Sequence, residues 1–200
     1  MPKPLVKSVS TNYCVLSTNN LSISEKAELP DAVRLFYFRE RNVSKNILVS
    51  ACLLGENVKY SGGNNFSSKL TALLRRYDVN IIPICPEVLG GLPIPRLPAE
   101  IIAADIIDCN GQSVLAEFQR GADAVLQRAK QTHCRIAVLK ENSPSCGSRF
   151  IYDGTFSGTL IEGEGLTTQL LRRHHIEVFS ELNLAELENR LKKEYQDEEK

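Results

Sequence analysis

The chain has 200 residues, of which 42% are hydrophobic, and this is enough for one domain with a substantial core. Lys plus Arg and Asp plus Glu number 24 each, so the formal net charge is zero, which disfavours nucleic-acid binding along a broad basic surface. No stretch approaches the roughly 20 apolar residues of a membrane span and no signal peptide is recognisable, so we expect a cytoplasmic protein without a membrane partner.

Residues 1–45 differ in composition from the rest of the chain. Met1–Asn20 is rich in Ser, Thr, Asn and Pro and has little periodicity, which is typical of irregular segments. Asp31–Glu40 is compatible with a short helix, which leaves open whether it packs on the main domain or on a second subunit of a homodimer. We therefore predict an N-terminal extension at 1–45, a main domain at 46–181, and a C-terminal helix with a charged tail at 182–200.

Short apolar runs alternate with amphipathic stretches in the rest of the chain. The predicted strands are Ile47–Ala51, Val79–Ile84, one segment within Ala99–Asp108 that ends at an Asn110–Gly111 turn, Arg135–Leu139, a hairpin within Phe150–Leu160, and Ile176–Phe179. The predicted helices are Asn64–Tyr77, Val114–Lys130, Leu166–Arg173, and a last one that carries Leu184, Leu187 and Leu191. This alternation predicts the α/β class, in a compact three-layer domain with a mostly parallel sheet and helices on both faces.

Three of the predicted strands lead into loops that carry a cysteine. Cys52 follows the first strand, Cys85 follows the second, and Cys146 follows Arg135–Leu139. Ligands of open parallel sheets bind outside the carboxyl ends of the strands, so we predict that these three thiols converge on one site. Free cysteines often act as small buried apolar residues, and we assign no site role to those that lie elsewhere, which are Cys14, Cys109 and Cys134.

Three converging thiols leave several chemistries open. A structural zinc site normally has four protein ligands, and a [4Fe–4S] cluster is normally held by four cysteine thiolates. With three thiolates, one iron would stay open to bind a substrate as a Lewis acid. The residues alone are thus compatible with an iron–sulfur enzyme, a cluster-binding sulfur carrier or oxygen sensor, or a structural zinc protein.

Polar residues accompany the three cysteines. Glu87, two residues after Cys85, is a candidate general base, although a loop-bracing hydrogen bond would explain it equally well. Ser143 could position a substrate or water, or close a turn through its hydroxyl. We assign substrate binding to residues in the loops that follow the first strand and Arg135–Leu139, namely Tyr60, Gly63, Asn142 and Ser145.

Taken together, these loops closely resemble the thiouracil desulfidase family. The motifs that carry the resemblance are Leu48–Gly55, Cys85–Pro93, Lys140–Gly147, Ile151–Gly154 and Phe156–Thr159, and it covers roughly residues 46–181. One departure is Ser61, which stands where an acidic residue is expected before the two glycines.

The resemblance implies a cofactor, a reaction and roles for residues. It implies a [4Fe–4S] cluster on Cys52, Cys85 and Cys146, whose open iron would bind the substrate's sulfur, with Glu87 as the catalytic carboxylate and Ser143 positioning substrate or water. The expected reaction is the non-redox conversion of a thiolated pyrimidine, 2- or 4-thiouracil or its nucleotide, to the carbonyl form with release of sulfide. Action on intact nucleic acid is not expected.

Overall fold

The computed structural model describes residues 45–195; the expected helix at Asp31–Glu40 and Cys14 lie outside this range. The strands in chain order are β1 Asn46–Ser50, β2 Asn80–Ile84, β3 Ala99–Ile102, β4 Asp105–Asp108, β5 Ile136–Leu139, β6 Phe150–Tyr152, β7 Leu160–Glu162 and β8 Glu177–Ser180. The helices are α1 Ser68–Arg76, α2 Pro86–Leu89, α3 Leu115–Gln131, α4 Leu166–Arg173 and α5 Leu184–Tyr195, and a 3-10 turn covers Ala51–Leu54.

The centre of the domain is a four-stranded sheet with the order β2-β1-β5-β8, in which every neighbouring pair is parallel. In the register, Leu48 of β1 lies between Ile82 of β2 and Ala137 of β5. The strand order reverses between β1 and β5, because the chain leaves β1 towards β2 and later returns to the other side. Ligands of doubly wound sheets bind at such a reversal, beside the carboxyl ends of the strands.

Apolar side chains alternate between the two faces of this sheet. On one face, Leu48, Ala137 and Leu139 pack in a single buried cluster with residues of α3 and α4, which include Val125, Leu126, Ala129 and Leu171. The alternate strand residues, such as Ile47 and Val138, are equally buried, as are Leu70 of α1 and Leu187 of α5, two helices that contact each other. The predicted α/β fold with a mostly parallel sheet is thereby confirmed.

Two antiparallel hairpins stand outside the central sheet. β3 pairs with β4, and β6 pairs with β7. The loop 153–159 between β6 and β7 lies against β3, since a Cβ added to Gly154 would be 2.9 Å from the carbonyl oxygen of Ile101. We call these two hairpins, with the loop 153–159, the cover.

Two local predictions were wrong. The helix predicted to begin at Asn64 begins at Ser68, because the hydroxyl of Ser67 accepts a hydrogen bond from the N–H of Leu70 and caps its first turn. The segment Ala99–Asp108 is not one strand but two, which turn at Ala103 with a φ of 54°. Among the helices within residues 45–195, none has the length and apolar character needed to cross a bilayer.

Candidate active site

The carboxyl ends of β1, β2 and β5 border a cavity of about 620 Å³. Cys52, Cys85 and Cys146 all line it, as do Glu87 and Ser143. Each thiol comes from the loop after a different parallel strand, and β1 lies between the other two. The sheet therefore brings together the three cysteines that lie far apart in the chain.

Burial favours the neutral form of these thiols when no metal is bound, and it outweighs the nearby charges of Lys140 and Arg96. It raises the pKa of Cys52 and of Cys85, and the charge of Glu87 raises that of Cys85 further. Burial raises the pKa of Cys146 most, and the neighbouring Glu87 and Cys85 add to this rise. A metal centre reverses this preference, because a coordinating thiol is deprotonated.

The chemistry of the donor set indicates which group the cavity could hold. Sulfur is a soft ligand that suits iron–sulfur chemistry, and each cysteine thiolate of such a cluster can occupy a separate iron. Within residues 45–195, no group of three or more His, Cys, Asp or Glu side chains is arranged to hold a single metal ion. Three thiols on the wall of one cavity fit an iron–sulfur cluster held by three cysteines.

The loop that carries Cys146 is packed tightly against the start of α4. The N–H of Thr167 donates to the carbonyl of Ser145 over 2.9 Å, and the hydroxyl of Thr168 donates to the carbonyl of Cys146 over 2.9 Å. A Cβ added to Gly165 would lie 2.6 Å from the backbone nitrogen of Cys146, closer than real Cβ atoms approach. Glycine at this position allows the helix to hold the cysteine loop at a fixed place.

Glu87 is oriented by two partners, one on each of its carboxylate oxygens. The guanidinium Nε of Arg96 donates to Oε2 over 2.6 Å, and the hydroxyl of Ser143 donates to Oε1 over 3.4 Å. The Arg96 side chain is only 6% exposed and also donates to the carbonyl of Val58 over 3.0 Å. A guanidinium fixed by several acceptors gives the carboxylate one orientation.

Ser143 also shapes the cysteine loop. Its Oγ accepts hydrogen bonds from the N–H groups of Ser145 and Cys146, at 3.1 Å and 3.2 Å. The hydroxyl of Ser50, at the end of β1, points to the Sγ of Cys146 at 3.8 Å and accepts from the N–H of Lys140. Ser143 therefore closes the turn of the cysteine loop and also lies beside Glu87.

A buried carboxylate, Glu141, supports the far side of the same loop. It is 2% exposed, and its oxygens accept from the hydroxyl of Ser148 and from the N–H groups of Ser148, Arg149 and Phe150. Burial raises the pKa of Glu141, but these hydrogen bonds outweigh it and bring the pKa down to about 2. The carboxylate is charged and braces the turn from Ser148 to Phe150.

We expect the charge of Glu141 to make the free energy of unfolding depend on pH. A folded-state pKa of about 2 against an ordinary 4.5 corresponds to roughly 3 kcal/mol. This contribution is present above about pH 4.5 and is lost as the pH falls towards about 2. Denaturant unfolding of metal-free Glu141→Gln at about pH 7 should show this loss, and the difference from wild type should shrink by about pH 3. The exposed Glu162→Gln is the control, and a gap independent of pH would contradict the assignment.

The structure separates the four predicted substrate-binding residues into two pairs. Tyr60 and Asn142 line the cavity, and Asn142 has the left-handed φ of 65°. Gly63 and Ser145 do not line it: the carbonyl of Gly63 accepts from the N–H of Lys59, and the buried hydroxyl of Ser145 shares a hydrogen bond of 2.9 Å with Thr167. Gly63 and Ser145 thus form hydrogen bonds that stabilise the loops beside the cavity.

Several residues of the site were not found from the sequence. Arg96 lies in the proline-rich loop, and its pairing with Glu87 has no signature in sequence spacing. Glu100, Tyr152 and Phe156 reach the wall from the cover. Cys109, to which we assigned no site role, also lines the cavity and is exposed, whereas Cys134 is buried, with its Sγ 3.2 Å from the hydroxyl of Thr132.

Comparison with known proteins gives matches over the same part of the chain. A solved structure, the [4Fe–4S]-dependent thiouracil desulfidase TudS, is similar with a TM-score of 0.68 and 49% identity, over 73% of this chain and 97% of that one. The uncharacterized protein YbbK of Bacillus subtilis is 41% identical over 151 residues, which are 70% of this chain and 99% of YbbK. The family model for 2-thiouracil desulfurase matches residues 47–183. These matches confirm the resemblance of the motifs, and the chain belongs to the 2-thiouracil desulfurase family.

Proposed function

We propose that this protein is an iron–sulfur thiouracil desulfidase, which replaces the sulfur of a thiolated pyrimidine by oxygen from water. The observation that carries the proposal is the meeting of three thiols, each from a different parallel strand, with an oriented carboxylate in one cavity. Membership of the 2-thiouracil desulfurase family and similarity to TudS support it.

Cys52, Cys85 and Cys146 would hold a [4Fe–4S] cluster in this cavity. When bound, a cluster with three protein thiolates supplies a Lewis-acidic iron with an open position for a sulfur atom. The three neutral thiols must each lose a proton to serve as ligands. Hydrogen bonds with Ser143 and Thr168 fix the backbone from which the Cys146 thiolate would reach the cluster.

The chain itself supplies the acid–base chemistry. The carboxylate of Glu87 takes a proton from water, so that the hydroxide equivalent can add to the ring carbon of the C=S bond. Breaking the carbon–sulfur bond leaves a carbonyl on the ring and hydrogen sulfide, and no electrons are gained or lost in the sum. Arg96 keeps Glu87 aimed at the reacting water, and Ser143 holds either that water or the carboxylate oxygen nearest to it.

The remaining features fit a small heterocycle as substrate. A cavity of about 620 Å³ lies within the range of small-molecule sites. Tyr60 and Asn142 would contact the ring, and Gly63 and Ser145 would hold the loops that carry them. We propose that 2- or 4-thiouracil, or its nucleotide, is the substrate rather than intact nucleic acid, that residues 46–181 form the catalytic domain, and that the protein works in the cytoplasm.

Anaerobic reconstitution tests the proposal. We expect about four irons and four sulfides per chain, with the visible absorption of a [4Fe–4S] cluster. Incubation with 2- and 4-thiouracil should then give uracil and sulfide in equal amounts, measured by chromatography and a sulfide assay. A stably folded protein that binds no iron would contradict the cofactor. A loaded cluster without uracil formation would favour a sulfur carrier or oxygen sensor instead.

A further inference from the structure

The cover brings a buried carboxylate to the cavity opposite the sheet. Glu100 lies on β3, across from Ile107 of β4, and is 6% exposed while lining the cavity. Its Oε2 accepts the N–H of Phe156 over 3.1 Å. Phe156, which has a left-handed φ of 57°, lies in the loop of the other hairpin and lines the same cavity. Glu100 thus joins the two hairpins of the cover at the cavity wall.

The second oxygen of Glu100 has no such partner. Among residues 45–195, Oε1 accepts no hydrogen bond, and no Lys, Arg or His forms an ion pair with Glu100. Oε1 keeps some accessible surface, because it is not one of the fully buried side-chain atoms that lack a hydrogen-bond partner. Oε1 is therefore left to the cavity that Glu100 lines.

A carboxylate in this position calls for a donor. Buried polar groups in native proteins nearly always have hydrogen-bond partners, and an oxygen that stays open to a cavity takes its partner from what the cavity holds, water or ligand. The cavity lining also carries two cations, Lys59 and Lys140, but neither pairs with Glu100. Lys140 donates to Glu181 and to the carbonyl of Glu141, and the Nζ of Lys59 lies 5.3 Å from the centre of the Tyr60 ring. A ligand in the cavity would supply the donor that the described residues do not give to Oε1.

We propose that Glu100 is a specificity-determining residue whose Oε1 accepts a ring N–H of the thiolated pyrimidine. This inference rests on the proposed function and adds to it how the ring is recognised. The carbonyl and thiocarbonyl groups of such a ring only accept hydrogen bonds, whereas N3–H donates and, in the free base, N1–H donates as well. A carboxylate reads these donors with a charge-assisted bond, and the N–H of Phe156 fixes the plane in which it does so.

Phe156 adds the second element of recognition. Phe156 and Tyr60 are 39% and 42% exposed as whole residues, and both line the cavity. Aromatic faces stack on nucleobases of any sequence, so they select a flat ring without reading its substituents. Glu100 would add a hydrogen bond to the edge of the ring, which stacking alone does not recognise.

The test uses N-methylated substrates with the reconstituted enzyme. We expect kcat/KM of wild type to fall at least about tenfold for either 1-methyl- or 3-methyl-2-thiouracil relative to 2-thiouracil, because the methyl group replaces the N–H that Glu100 accepts. Which analogue fails identifies the nitrogen. Equal rates for the three compounds would overturn the inference without any variant being made.

The isosteric variant Glu100→Gln provides the second arm. An amide keeps an acceptor oxygen at only one of the two positions that Oε1 and Oε2 occupy and places an NH₂ donor at the other, so one of the two bonds is lost. We expect kcat/KM for 2-thiouracil to fall about tenfold to a hundredfold and the discrimination against the methylated analogue to shrink below about threefold. Asp105→Asn, on the same hairpin but with its Oδ1 bonded to Ile106 and Ser113, should leave both unchanged.

Binding of uracil separates this inference from the proposed function. Uracil has the same N–H groups but no sulfur to remove, so equilibrium dialysis reads recognition without turnover. We expect Glu100→Gln to weaken uracil binding by the same factor as it lowers kcat/KM. Unchanged uracil affinity together with unchanged discrimination would overturn the role of Glu100 while desulfuration stands. Glu100-dependent uracil binding in a protein that does not desulfurate would retain this inference and overturn the proposed function.

Discussion

Glu87→Gln is expected to retain the full iron and sulfide content and to lose about 10²- to 10⁴-fold in kcat for thiouracil, the range by which a general base accelerates proton transfer. The amide keeps the size of the side chain and can still accept from Arg96, but it cannot take a proton from water. Because Arg96 holds Oε2 at 2.6 Å, the substituted side chain should keep its place. Iron and sulfide analysis and steady-state kinetics on the same anaerobic preparations measure both quantities.

A matched control separates the loss of the base from the loss of a charge. Glu56 is an exposed carboxylate in the loop after β1 and does not line the cavity, so Glu56→Gln removes the same charge at a distance. We expect this variant to have wild-type kinetics. If Glu87→Gln turned over thiouracil at the wild-type rate, Glu87 would have no part in proton transfer and the ion pair with Arg96 would be purely structural.

Cys146→Ala is expected to abolish both cluster binding and turnover. Cys146 is the most buried of the three thiols, and hydrogen bonds with Ser143 and Thr168 fix its backbone at the cavity wall. Two thiolates leave two irons without protein ligands, which a cluster normally does not tolerate. Iron and sulfide counts after reconstitution, with the visible spectrum, should fall to background, and Cys52→Ala and Cys85→Ala should behave alike.

Two other cysteines serve as controls for this result. Cys134 is buried at the opposite end of β5, and Cys134→Ala should bind a full complement of iron. Cys109 lines the cavity but belongs to the cover, and Cys109→Ala should also retain the cluster. A loss of iron in Cys109→Ala as deep as that in Cys146→Ala would mean that four thiolates hold the cluster, which would leave no iron open for the substrate.

The parts of the fold that depend on local patterns could be predicted from the sequence. Apolar runs gave the strands of the central sheet, and the cysteine that follows each of β1, β2 and β5 pointed to their common edge. The turn between β3 and β4 was missed because Ala103 adopts a left-handed conformation without being one of the residues that favour it. The Asn110–Gly111 pair does form a turn, in which the N–H of Gly111 donates to Asp108, but it follows β4 rather than dividing the hairpin.

The parts of the site that depend on the path of the chain could not be predicted. Arg96 meets Glu87 only because the proline-rich loop folds back after α2, and nothing in the spacing of the two residues indicates this. Glu100 and Cys109 reach the cavity through the hairpin that was predicted as a single strand. The roles of Cys52, Cys85, Cys146, Glu87 and Ser143 stay predictions, which the variants above address.

The separation of the cover from the central sheet has a consequence for how such a protein can diversify. The thiols and Glu87 lie in segments that follow strands of the four-stranded sheet, while Glu100 and Phe156 belong to hairpins that contribute no strand to it. Exposed hairpins tolerate substitution and changes in length far better than a buried parallel sheet does. Substitutions in the cover can therefore change which heterocycle binds while the thiols and Glu87 stay the same. Transfer of the cover from one relative to another should exchange substrate preference and leave the desulfuration reaction unchanged.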